Sequence, residues 1–175
     1  MPIFSFNFTQ PIISLFKKKA AVKPEPLVIE DELGRFVMEN PHREDSYWGD
    51  VNLLGRDVSV CLRIDGSGQM TASAALKNLH TFAAHADDWD ARIKQFAADD
   101  FVDQDGTIET WGGAERDSEI ISKEEFMRRI EMNFICFYSD GSIFLDYDLD
   151  DMFTDHGLGV NADISGKIES CALWG

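Results

Sequence analysis

The stretch MNFICFYSDGSIFLDYDLD, residues 132–150, carries the strand pattern from which the central part of the fold is predicted. Residues 132–138 are apolar at almost every position, a pattern typical of a strand that is buried on both faces. Residues 139–142 then supply a turn, after which Ile143, Leu145 and Tyr147 face one side of the predicted strand and Asp146, Asp148 and Asp150 face the other. The stretch therefore predicts a β-hairpin whose first strand lies in the middle of a sheet.

Further strands are expected on both sides of this hairpin. Val58, Val60, Leu62 and Ile64 alternate with polar or small residues, and residues 47–53 precede them across a short turn. This pattern predicts a second hairpin upstream of the first. We also expect strands near residues 27–29, 34–39, 157–162 and 168–173.

The middle of the chain has the apolar spacing of helices. Residues 70–86 are rich in alanine and place apolar side chains on one stripe, and residues 89–101 repeat Trp, Ile and Phe at helical spacing. Ser122-Lys123-Glu124-Glu125 is a capping box that predicts the start of a third helix. Because strands are followed by helices and then by strands, we predict an α+β fold, an antiparallel sheet with helices packed on one face.

Length and composition favour one compact domain with a short tail. The 175 residues include thirteen Phe and four Trp, which excludes a fully disordered chain. We divide the chain into an apolar and basic N-terminal tail and linker, residues 1–26, and a single acidic α+β domain, residues 27–175. Cys61, Cys136 and Cys171 lack zinc-ligand spacing and are interpreted as reduced core thiols of a cytoplasmic protein.

The charge of the chain is strongly negative, with a formal value of −16. Residues 1–23 hold four of the sixteen basic residues and none of the thirty-two acidic ones, so residues 24–175 carry −20. Such a body repels nucleic acid, and we therefore expect no DNA or RNA partner. It is expected to attract a basic protein partner, although simple solubility also explains the charge.

The N-terminal tail combines apolar residues with Lys17, Lys18 and Lys19. Phe16 and its apolar neighbours would insert into an anionic membrane surface while the lysines face the phosphates. The alternative is a leader that is disordered or only loosely docked on the domain. Because all the expected strands and capped helices follow Pro26, we predict that residues 1–25 are dispensable for folding.

Motifs of known catalytic chemistry are missing from the sequence. There is no Walker lysine motif, no GxGxxG and no GxSxG. Residues 103–108 resemble the middle of a calcium loop, but Phe101 and Gly112 stand where its terminal ligands belong. We therefore assign no catalytic residue, no metal and no cofactor.

The most prominent polar cluster follows the hairpin. Alternating carboxylates on a strand, with a histidine after a turn, can bind a basic partner, bind a hard metal or work as acid and base. A solvated strand face that prevents edge pairing is the alternative. Because the carboxylates repel one another, a cation is expected opposite them, either Arg128 or Arg129 or a lysine of a partner. The candidate partner-binding residues are Asp146, Asp148, Asp150, Asp151, Asp155 and His156.

Several short motifs, in this order, resemble a known family. They are residues 47–51 (YWGDV), 89–92 (WDAR), 121–126 (ISKEEF), 137–142 (FYSDGS), 153–158 (FTDHGL) and 172–175 (ALWG). Over residues 45–175, approximately, the chain resembles the bacterial domain-of-unknown-function family numbered 2262. The resemblance implies a small bacterial cytosolic domain, and no activity, substrate or catalytic residue comes with it.

These observations together favour a bacterial protein-binding module. Toxins that attack nucleic acid need basic clefts, and acidic inhibitors complement them, so we expect an immunity-type or antitoxin-type inhibitor of a basic toxin domain. One alternative is a metal-dependent enzyme that uses Asp146, Asp148, Asp150 and His156. Another is a structural or interaction protein of a different kind with a membrane-surface tail.

Overall fold

A computed structural model of the chain describes residues 27–38, 46–64 and 72–175. The N-terminal tail, and with it the membrane-surface prediction for Phe16, Lys17, Lys18 and Lys19, lies outside the described residues. In chain order the elements are β1 (Val28–Asp31), β2 (Gly34–Met38), β3 (Ser46–Leu53), β4 (Arg56–Arg63), α1 (Ala72–Ala83), α2 (Ala86–Phe101), β5 (Thr107–Glu109), β6 (Ile120–Ser122), α3 (Lys123–Arg129), β7 (Glu131–Tyr138), β8 (Ser142–Asp148), β9 (Gly157–Asp163) and β10 (Ile168–Trp174).

Eight of the described strands form one sheet in the order β1-β2-β3-β4-β7-β8-β9-β10. Each half of the sheet is a meander of four antiparallel strands, and the halves meet where β4 and β7 pair in parallel. Residues 132–138 lie in β7, between β4 and β8, so the prediction of a central strand there is confirmed. The sheet as a whole is mixed.

The predicted α+β class is wrong. The described residues are mostly β, with 46% strand and 26% helix, and the sheet is not antiparallel throughout. The strands-helices-strands order also fails, because β5 and β6 form a small second sheet between α2 and α3. The parallel pair arises because the chain crosses through the helices after β4 and then re-enters the sheet in the direction of β4.

The predicted capping box is confirmed at the start of α3. Ser122 has extended backbone angles, and its Oγ accepts a hydrogen bond of 3.2 Å from the backbone N–H of Glu125. This bond satisfies one of the amides that a helix leaves without a partner at its first turn. The short helix then ends at Arg129, directly before β7.

The core lies between the main sheet and the helices. Phe82 of α1 stacks on Trp89 at 5.3 Å between ring centroids and meets the edge of Phe137 from β7. The buried Tyr147 of β8 donates a 3.1 Å hydrogen bond from its hydroxyl to Oδ1 of Asp90 on α2. The contacts of α1 and α2 with the sheet thus fall on the face that carries Phe137 and Tyr147.

We call the opposite side the outer face of the sheet. Strand register places Trp48, Phe134, Phe144 and Trp174 on it, together with the carboxylate of Asp146. Cys61 and Cys136, which are both buried, face each other across β4 and β7 on the same side. In the described part of the chain, no helix is long and apolar enough to cross a membrane.

Candidate functional site

The predicted partner-binding residues lie at the end of β8 and in the loop of residues 149–156. Asp146 is the deepest of them, with 8% of its surface exposed. Its Oδ1 accepts a 2.9 Å hydrogen bond from Nε1 of Trp174, and its Oδ2 accepts a longer one, 3.4 Å, from Nδ2 of Asn133. Asp146 therefore holds the C-terminal tryptophan against the sheet.

The structure brings five of the six predicted residues to one cleft. This acidic cleft has a volume of about 290 Å³ and is open to solvent. It lies between Asn133 of β7, the end of β8, the loop that follows, the start of β9, and Trp174 with Gly175. The predicted residues that line it are Asp146, Asp148, Asp151, Asp155 and His156.

Asp150 is the exception, because it points away from the cleft. Its carboxylate accepts hydrogen bonds of 2.7 and 2.9 Å from Arg116 and a third of 2.9 Å from Nε of Arg129. Burial alone raises the pKa of Asp150, but the bonds from Arg116 and then Arg129 outweigh it and leave the pKa below its usual value. The prediction that Asp146, Asp148 and Asp150 share one strand face is thus wrong for Asp150.

Of the two arginines expected opposite the carboxylates, Arg129 pairs with one of the predicted aspartates and Arg128 with none. Arg129 is 9% exposed and pairs with both Asp150 and Glu119, whereas Arg128 pairs with Glu125 on its own helix. Neither arginine forms an ion pair with the aspartates of the acidic cleft. Among the residues that the structure describes, no Lys or Arg forms a direct ion pair with Asp148, Asp151 or Asp155, although Arg116 is near enough to Asp151 for their charges to attract each other.

The loop that carries the cleft is held by residues distant in the sequence. The backbone N–H of Trp111 donates to the carbonyl of Met152, and the N–H of Thr154 donates to the carbonyl of Gly112, both at 2.9 Å. Gly113 is required for this contact, since a Cβ there would lie 2.5 Å from the Cβ of Asp151. Asp151 itself has a φ of 56°, a left-handed conformation that such long-range contacts must hold in place.

His156 is oriented by the same loop. Its Nδ1 lies 3.1 Å from the carbonyl oxygen of Phe153 and 2.9 Å from Oγ1 of Thr154. The Thr154 hydroxyl also donates to that carbonyl at 2.6 Å. In the tautomer that carries its proton on Nδ1, His156 can donate to this carbonyl, and Nε2 is then the nitrogen that can accept a bond from a ligand.

Two exposed tryptophans border the acidic cleft, and neither is among the site residues predicted from the sequence. Trp111 is 57% exposed and meets the ring of His156 edge-on at 5.7 Å, and Trp174 is 52% exposed and bonded to Asp146. Trp111 stands next to two glycines outside any predicted helix or strand, and Trp174 directly follows the predicted strand 168–173 and precedes Gly175. A large aromatic residue at such a position is the signal that could have identified them.

The described residues offer no ready ligand set for a metal ion. No group of three or more His, Cys, Asp or Glu side chains in this part of the chain converges closely enough to hold one. The carboxylates of the cleft stand apart from each other, with Asp146 engaged by Trp174 and Asp155 exposed on the loop. The geometry suits several separate cationic groups better than one ion.

The comparison with protein families agrees with the motifs in the sequence. A family described as "Uncharacterized protein conserved in bacteria (DUF2262)" matches residues 30–173. The chain belongs to this family. The match covers the main sheet except its first two and last residues, and it includes Trp111 and every predicted residue of the acidic cleft. No curated protein and no solved structure matches the chain.

Proposed function

We propose that this member of the family is a protein-binding module, an immunity-type or antitoxin-type inhibitor that binds a basic toxin domain through the acidic cleft. One observation carries the proposal: two exposed tryptophans, Trp111 and Trp174, border a cleft whose aspartates form no direct ion pair with a Lys or Arg in the described chain. We further propose that it acts in the bacterial cytoplasm, where its thiols stay reduced.

The chemistry of the cleft supports a cationic protein partner. Asp148, Asp151 and Asp155 can each accept hydrogen bonds from arginine or lysine, and such charge-assisted bonds are stronger than neutral ones. Tryptophan is enriched at the energetic centres of protein interfaces, because it buries a large rigid surface at little cost in conformational entropy. The two features together fit an interface better than a solvated strand face.

The overall charge adds to the specificity of this surface. Residues 24–175 carry −20, so a basic domain would be steered toward the protein at a rate that falls with added salt. A toxin that cleaves or modifies nucleic acid presents a basic cleft, and the acidic cleft would cover it. The partner would thereby lose access to its own negatively charged substrate.

The test measures binding to the basic protein encoded by the neighbouring gene, by pull-down, calorimetry and co-expression rescue. Trp111→Ala and Trp174→Ala should each weaken binding by about 2 kcal/mol, roughly thirtyfold, as expected for central interface tryptophans. The double substitution Asp151→Asn and Asp155→Asn should lower the association rate and its dependence on salt.

Asp87→Asn with Asp88→Asn is the matched control, because it removes the same charge from the first turn of α2. If the cleft variant and this control bind alike, the acidic cleft is not the binding site. If no basic neighbouring protein binds and co-expression gives no protection, the immunity function is wrong.

A further inference from the structure

The outer face of the sheet carries a continuous row of aromatic side chains. The ring of Trp48 from β3 stacks on Phe134 from β7 with 5.3 Å between centroids, and Phe134 lies 6.4 Å from Phe144 of β8. The contacts of α1 and α2 fall on the other face, so the row is not part of the core between sheet and helices.

Trp174 extends the row to the last strand. A Cβ at Gly159 of β9 would lie 3.1 Å from ring atoms of both Phe144 and Trp174, so the missing side chain lets these two rings approach each other. Val37 continues the apolar surface at the opposite end, because it pairs in register with Trp48. Trp48 and Val37 are each 39% exposed, and the apolar patch from Val37 to Trp174 extends across seven strands.

We propose that the outer face binds the chain's own N-terminal tail, through residues 3–16. Phe4, Phe6 and Phe8 alternate with Ser5, Asn7 and Thr9, so an extended segment presents three phenyl rings on one side and polar groups on the other. Three phenyl rings on one side of the tail can pack against the row of aromatic rings on the outer face, because aromatic pairs attract each other in stacked and edge-to-face arrangements. The proposal does not depend on the function proposed for the acidic cleft.

The length of the chain permits this arrangement. The described body begins at Leu27, whose carbonyl accepts a 3.0 Å hydrogen bond from Met38, beside the edge strand β1. Residues 17–26 can span up to about 33 Å when extended. From β1 to β7 there are four strand spacings, about 19 Å. Residues 3–16 can therefore reach the centre of the aromatic row from the edge where the tail joins the sheet.

Charge favours the tail over the other occupants of an apolar face. Residues 1–23 carry +4 and residues 24–175 carry −20, so the tail is attracted to its own domain. A second copy of the chain also carries a net charge of −16, so the two copies would repel each other. An anionic membrane would be repelled by the same acidic body.

The experiment places the photo-cross-linker p-benzoylphenylalanine in the full chain, at Phe6 in one variant and at Asn7 in a matched second one. Both are irradiated, and the products are mapped by mass spectrometry. Since neighbouring residues of an extended segment point to opposite sides, Phe6 should give several-fold more intramolecular product than Asn7. The linked peptides should contain Trp48, Phe134 or Phe144.

Other outcomes would overturn the proposal. Equal yields at the two positions, or links only to peptides outside the outer face, would show that the tail does not dock there. A product with the mass of a dimer would assign the face to a second copy. Sedimentation of the chain with phosphatidylglycerol vesicles, without an intramolecular product, would assign the tail to membranes.

Discussion

Nε of Arg129 lies 2.9 Å from Oδ2 of Asp150, and this ion pair separates Asp150 from the other aspartates of its loop. A second guanidinium nitrogen of Arg129 donates to the backbone carbonyl of Asp150 at 3.2 Å, and a third pairs with Glu119. Arg129 thereby joins α3 to the loop that forms the acidic cleft. The shape of the cleft depends on a residue that does not line it.

Replacing Arg129 should therefore destabilise the whole domain. We expect Arg129→Ala to lower the free energy of unfolding by about 2 kcal/mol, because a buried cation with charged hydrogen-bond partners is lost. Urea denaturation followed by circular dichroism measures the change. Arg128→Ala is the control, since its ion pair with Glu125 is exposed and should contribute little. An equal loss of unfolding free energy in the two variants would contradict the stabilising role of Arg129.

The stabilising effect of Asp150 should disappear in acid. Its pKa in the folded protein is depressed below the usual 3.8, so its contribution is complete above that value and is lost as the pH falls through the folded pKa. Asp150→Asn should therefore be less stable than the unsubstituted protein at pH 7, and the difference should shrink toward pH 3. Denaturation curves of both proteins between pH 3 and pH 7 measure this difference in unfolding free energy. A difference that stays the same at every pH would show that the charge of Asp150 does not stabilise the fold.

The capping box at α3 predicts a smaller effect on stability. Ser122→Ala removes the acceptor for the amide of Glu125 and should cost about 1 kcal/mol of unfolding free energy. The exposed Ser118, which lies four residues earlier, provides the control through Ser118→Ala. Thermal unfolding of both variants gives the comparison. If the cap does not stabilise α3, Ser122→Ala and Ser118→Ala should have the same midpoint of thermal unfolding.

Cys171 should react slowly with alkylating reagents at neutral pH. Partial burial, and next the carboxylate of Asp100 at 3.5 Å from its Sγ, raise the pKa of this thiol to about 12. Since the thiolate is the reactive form, Asp100→Asn should increase the rate of labelling by iodoacetamide. Asp99→Asn is the control, because Asp99 pairs with Lys123 instead. Mass spectrometry of the intact protein measures the labelling rate of each variant. Asp100→Asn should be labelled faster than Asp99→Asn, and equal rates in the two variants would contradict the role of Asp100.

Local patterns were enough to predict much of the secondary structure. The apolar run of residues 132–138 predicted a central strand, and β7 does lie between β4 and β8 in the sheet. The Ser122 cap was likewise predictable, because its hydrogen bond spans only three residues. The family was recognised from motifs that need no tertiary information.

The class of the fold was decided by the tertiary structure alone. A period of two residues identifies a strand, but it carries no information on which strand pairs with it or in which direction. The parallel pairing of β4 with β7 depends on the path of the chain between them, which includes α1 and α2, where Phe82 contacts both Trp89 of α2 and Phe137 of β7.

The sequence by itself determined the acidic charge, the strands of the main sheet, the capped helix and five of the residues that line the cleft, but not the small sheet of β5 and β6. Only the tertiary structure turned Asp150 toward Arg116 and Arg129, and only it brought Trp111 against His156. The physical reason is the range of the interactions. Strand alternation and helix caps arise between near neighbours, whereas the loop of residues 149–156 takes its shape from hydrogen bonds to residues about forty positions away, such as Gly112.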